Sequence, residues 1–159
     1  MSVRVAPAQT IHSVPREAWI LWSLSLLFLL RVVGQILVEF LHVTFLPPSL
    51  EWYSGLLPYP LLLPTQLVIL IWMARINTGV TFRRGFFTAP HPYLSRFLLI
   101  ASILYAGGMA ARYFISGHMH PERASWPPGS VPIAFHFVLA AYLYILSRMA
   151  RCPIASECD

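Results

Sequence analysis

The chain contains no lysine; its 11 basic side chains are all arginine, and only six residues are acidic. Charged residues of every kind fill 11% of 159 positions, against about 25% in an ordinary soluble domain. With 57% of positions hydrophobic and a mean hydropathy of +0.65, polar side chains are too few to cover a soluble surface. That shortage excludes a soluble globular protein and points to one embedded in a membrane.

Cysteine is nearly absent as well. Cys152 and Cys158 both lie in the terminal stretch "RCPIASECD", which excludes a disulfide framework and makes a poor zinc site. No Cys-x-x-Cys pair occurs, which argues against a membrane thiol oxidoreductase. Cys158 is penultimate, so there is no prenylation box. A glycine-rich nucleotide loop, a nucleophile elbow and a zinc-protease helix are all missing. No internal repeat supports a transporter built from two related halves. The first apolar stretch is too long, and is interrupted by Arg31, to read as a cleavable signal peptide.

What is present is a set of long apolar runs. Four transmembrane spans can be drawn, at about 18–46, 56–76, 93–115 and 131–149, each near the ~20 residues that cross a bilayer. A membrane interior offers no water to unpaired backbone groups, so these spans are expected to be helices. The expected fold is all-α: a polytopic four-helix bundle filling 18–151, with tails at 1–17 and 152–159. Eight arginines (Arg4, Arg16, Arg75, Arg83, Arg84, Arg96, Arg148 and Arg151) fall on one side of the spans. Arg123 alone falls in the opposite loops. The positive-inside rule then places both termini in the cytoplasm of a multi-pass cell-membrane protein, with a bacterial inner membrane as the expected location. The net charge of +5 is explained by this topology, and no nucleic-acid partner is implied. Pro58, Pro60 and Pro64 crowd the second span and predict an irregular entry and a kink before Thr65 and Gln66. The small residues of "AGGMAA", Ala106 to Ala111, predict close helix packing.

Polar residues interrupt the apolar runs. In "RVVGQILVEFLH", a step of ~100° per residue puts Arg31, Gln35, Glu39 and His42 on one helical face. That face must look into the bundle, because an ionisable group facing lipid costs several kcal/mol. A ~1.5 Å rise per residue brings Glu39 level with Arg112 of the third span, predicting an ion pair between helices. It also places Gln66 near the middle of the second span and His136 between Gln35 and Glu39 in depth. Arg31, Gln35, Glu39, Gln66, Arg112 and His136 are therefore the candidate ligand-binding residues, forming a polar pocket in the outer half of the bilayer. Its occupant would be an anionic or amphipathic small molecule, or a partner helix. The expected partners are the bilayer itself and a membrane-protein partner or second copy.

The alternative is a membrane enzyme or redox module with a histidine-based metal or haem site on the outer side. "GHMHPER" offers His118 and His120, with His42 as a third candidate ligand; imidazole with thioether suits copper, and with carboxylate suits zinc or iron. A haem would need His42 and His136 to face each other across the bundle. On the cytoplasmic side, His91-Pro92-Tyr93 resembles three residues of the isoprenylcysteine methyltransferase pattern. The arginine before the histidine and the later acidic partner are missing, and the chain is not assigned to that family.

Overall fold

The computed structural model describes residues 14–41, 59–119 and 130–151. They form four α-helices: α1 (Arg16–Leu41), α2 (Tyr59–Thr81), α3 (Pro92–Met119) and α4 (Ser130–Arg151), with a short 3-10 turn at Phe86–Thr88. Three helical stretches are long and apolar enough to cross a membrane: Arg16–Leu41, Leu61–Thr81 and Pro92–Ile115. α4 does not meet that measure of length and apolarity. It packs between α1 and α3.

The distribution of side chains is that of a protein solvated by lipid. Leu26, Leu30, Val68, Ile71, Phe97, Ile103 and Leu104 are exposed. Ser25, Arg31, Gln35, Gln66, Asn77, Ser95, Ser102 and Ser147 are buried. With apolar solvent outside, polar groups gain by turning inward to one another.

α1 opens after Pro15, whose carbonyl accepts the Ala18 amide at 3.0 Å. Glu17 in the first turn favours the positive helix end. Its buried positions Ala18, Leu21, Ser25, Phe28, Val32 and Gln35 alternate steps of three and four, the seam of a left-handed packing. α1 lies against α2 and α4, and Leu21 and Phe28 share a core with Met73, Val80, Leu146 and Met149.

α2 continues through Pro64 without a break in its helix. One residue on, the Thr65 hydroxyl donates to the Leu61 carbonyl at 2.7 Å. At its other end the Arg84 amide donates to the Gly79 carbonyl at 2.8 Å, and the Arg83 amide to Val80 at 3.1 Å. With Arg83 at φ 50°, this is a Schellman ending that uses arginine where glycine is usual. Gly79 is required here, since a Cβ would lie 2.8 Å from the Arg84 carbonyl oxygen. Pro92 starts α3, where its missing amide costs nothing.

α3 is fastened to α4 by serines. Ser95 Oγ donates to the Ser147 carbonyl at 2.8 Å and Ser102 Oγ to the Ala140 carbonyl at 2.9 Å. The backbone amide of His91 closes the same end of the pair on Ala150 at 2.8 Å. Close packing was expected at Gly107 and Gly108, but a Cβ on either would meet nothing within 4 Å. α3 reaches the bundle through its Ser95–Ser102 face, and the two glycines point elsewhere.

These pairings run antiparallel throughout. They gather the N-terminal end of α1, the C-terminal end of α2, the N-terminal end of α3 and the C-terminal end of α4 at one end of the bundle. Arg16, Arg83, Arg84, Arg96, Arg148 and Arg151 all sit at that end.

Candidate functional site

Two polar layers cross the bundle, and they differ in how completely they are paired. The first lies toward the arginine-rich end. Asn77, fully buried, donates from Nδ2 to Ser25 Oγ at 2.8 Å and to the Leu21 carbonyl at 3.3 Å. Its Oδ1 accepts the Tyr142 hydroxyl at 2.9 Å, which also lies 3.3 Å from the Met73 carbonyl. Ser25 Oγ in turn donates to Leu21 O at 2.8 Å. Each polar atom of the Ser25–Asn77–Tyr142 cluster is used, and α1, α2 and α4 are pinned together. A saturated network of this kind fixes register.

The second layer lies ten residues further along α1, roughly 15 Å by helix rise. Gln66 on α2 donates from Nε2 to Gln35 Oε1 on α1 at 3.1 Å. Arg31, one turn before Gln35, is only 6% exposed, and its guanidinium lies 5.6 Å from the centre of the Phe135 ring on α4. Beside Phe135, His136 Nδ1 and the Tyr105 hydroxyl of α3 share a 2.6 Å hydrogen bond, their rings meeting edge to face at 5.6 Å. The charge of Arg31 acts on both Tyr105 and His136, and that of Arg112 acts on His136. All four helices contribute to this region.

Four buried polar atoms here have no hydrogen-bond partner among the described residues: Arg31 Nε, Gln35 Nε2, Gln66 Oε1 and His136 Nε2. An orphaned polar group in a low-dielectric interior costs about 1–3 kcal/mol. Arg31 and Gln35 offer N–H donors, and Gln66 offers a carbonyl acceptor. The imidazole Nε2 is donor or acceptor according to which partner holds the proton in the Tyr105 bond. An amide flip of both glutamines would exchange the labels and still leave one donor and one acceptor.

Of the residues singled out in the sequence, the structure joins Gln35 to Gln66 and brings Arg31 and Arg112 within electrostatic reach of His136. Glu39 is half-buried on α1 one turn beyond Gln35; Glu39 and Arg112 each have an interaction partner. His118 is exposed near the end of α3, while His42 and His120 lie outside the described residues. No group of three or more His, Cys, Asp or Glu able to hold a metal occurs among the described residues.

Sequence reasoning missed Tyr105 and Phe135. Tyr105 was legible in principle, because it sits near the middle of its span at a depth that His136 can reach. It also missed the Asn77 layer. The second span was drawn to end at 76, which left Asn77 at the boundary, whereas α2 runs on to Thr81. No known family model, no curated protein and no solved structure matches the chain.

Proposed function

We propose that the chain is a small four-span membrane protein that binds one anionic or amphipathic small molecule at Arg31, Gln35, Gln66 and His136. The observation that carries this reading is the contrast between the two polar layers. Evolution and folding readily pair buried groups, as the Asn77 layer demonstrates, so four orphaned atoms gathered in the next layer are a site awaiting an external partner. A ligand oxygen bearing negative charge would take the Arg31 and Gln35 donors, and a hydroxyl or amine of the same molecule would meet Gln66 Oε1. Arg112 adds positive charge, and Glu39 is proposed to orient Arg112 through an ion pair. The Phe135 ring lies against the Arg31 guanidinium at 5.6 Å, a contact that strengthens when desolvated.

The test is chemical extraction. Wild-type chain purified from its native membrane is expected to carry a stoichiometric small amphipath, identified by mass spectrometry of an organic extract. Gln66→Leu should lower its occupancy about tenfold, the effect of losing one buried hydrogen bond to a charged or polar ligand group. Equal recovery from both proteins would remove the pocket reading.

The 2.6 Å Tyr105–His136 contact favours a second reading, a membrane enzyme in which this pair moves a proton. Tyr105→Phe separates the two. Binding alone survives that change, since the hydroxyl is spent on His136, whereas proton transfer through the pair does not.

The four-span topology with both termini cytoplasmic belongs to the same proposal. α4 has 22 residues, a length of about 33 Å at 1.5 Å per residue, enough for a core of about 30 Å. The arginine-rich end then faces the cytoplasm, as expected in a bacterial inner membrane. Cys152 and Cys158 are the only thiols of the chain and report on the C-terminus directly. A membrane-impermeant maleimide should leave intact cells unlabelled and react after permeabilisation. Labelling of intact cells would invert the topology.

A further inference from the structure

We propose that a second site, at the arginine-rich end of α2, holds the head group of an anionic phospholipid. A cavity of about 530 Å³ lies there, bordered by Trp72, Arg75, Ile76, Arg84, Phe86 and Phe87. Its volume falls within the ~300–1,000 Å³ of ordinary ligand sites. The cavity exists because of how α2 ends. The Schellman turn at Gly79–Arg84 reverses the chain, and Gly85 at φ 101° sends Phe86 and Phe87 back along the helix. One α2 stripe, Trp72, Arg75, Ile76 and Gly79 at helical spacing, makes one wall, and residues 84–87 make the other.

The lining combines apolar and cationic side chains. Trp72 lies nine residues, roughly 13 Å, inside the end of the helix, and with Ile76 it offers an apolar floor of acyl-chain character. Arg75 and Arg84 both line the cavity, both are exposed, and no acidic side chain lines it. The negative end of the α2 dipole would oppose an anion, but the carbonyls of Gly79 and Val80 are already covered by the Arg84 and Arg83 amides. Phe86 is held by stacking on His91 at 4.0 Å, so the outer wall is anchored to the start of α3. Two guanidiniums beside an apolar slot match a phosphate joined to a hydrocarbon chain, and basic clusters at a membrane edge attract anionic lipid. The site shares no residue with the Arg31 layer and stands or falls apart from it.

The experiment uses the full chain, reconstituted in nanodiscs of mixed phosphatidylglycerol and phosphatidylcholine, released into mild detergent and weighed intact. Phosphatidylglycerol is expected to stay bound in preference to phosphatidylcholine. Arg75→Gln or Arg84→Gln should each weaken that preference about fivefold, and the double variant about thirtyfold, the loss corresponding to one or two basic side chains at a membrane surface. Arg148→Gln, at the same end of the bundle but outside the cavity, should leave the preference intact. Circular dichroism establishes that each variant is folded. Equal retention of the two lipids, an Arg148→Gln effect as large as that of Arg84→Gln, or displacement of the lipid by excess inorganic phosphate would each overturn the assignment.

Discussion

Arg31→Gln is expected to leave the bundle folded and more resistant to heat, while lowering occupancy of the pocket about a hundredfold. The two effects share one cause. An arginine near the centre of a bilayer costs about 2.5–3.5 kcal/mol even on lenient insertion scales. Here the Phe135 ring offsets part of that cost, and Arg31 Nε has no hydrogen-bond partner among the described residues. Glutamine fills much of the same volume without the charge, so the empty protein gains stability. The bound protein loses a charge-assisted contact, and truncating one partner of a buried charged pair costs about 2–5 kcal/mol. A residue kept only to hold helices together gives the opposite sign. Its neutralisation would lower the melting temperature and leave bound molecules unchanged.

Asn77→Leu is expected to destabilise the bundle by about 2 kcal/mol, the largest loss among single polar replacements. Three hydrogen bonds disappear with the side chain: those to Ser25 and Leu21 and that from Tyr142. Measured contributions of such bonds in membrane bundles average ~0.6 kcal/mol each. The partners are not stranded, since Ser25 keeps Leu21 and Tyr142 keeps Met73, and this holds the loss near the simple sum. Gln66→Leu is the control. It removes one 3.1 Å bond and one orphaned oxygen but strands Gln35 Oε1, so the loss expected in the unliganded protein is that of one bond, about 0.6 kcal/mol. Thermal melting in a single detergent compares the pair. Equal destabilisation by the two replacements would erase the distinction between a saturated layer and an open one.

The parts of this arrangement that follow from periodicity were legible in the sequence. Arg31 and Gln35 share a helical face because four residues bring a side chain nearly full circle, and both are buried. Gln66 was expected at the depth of Arg31, near mid-span, whereas its bonded partner is Gln35, one turn further along α1. The all-helical class followed from composition and the length of the apolar runs. Span ends were the weak point. Asn77 and Thr81 are polar, so hydropathy closes the second span before them, yet each is engaged by α1: Trp22 Nε1 donates to Thr81 Oγ1 at 3.1 Å, and Asn77 meets Ser25. Hydropathy records what a residue prefers as a lone solute and not what a facing helix offers it. The two glycines of "AGGMAA" failed for a related reason. Small size permits close approach but does not choose the face, and α3 chose the face carrying Ser95 and Ser102. The Tyr105–His136 bond depends on helix rotation, which no single span reveals.

A binding site in the second polar layer predicts a bound molecule in the protein as it leaves the membrane. The direct measurement is the intact mass of the full chain extracted gently from its native membrane, compared between wild type and Arg31→Gln. One small amphipathic adduct per wild-type chain, absent from a folded Arg31→Gln chain, is the predicted result. An identical mass distribution for the two proteins would contradict it.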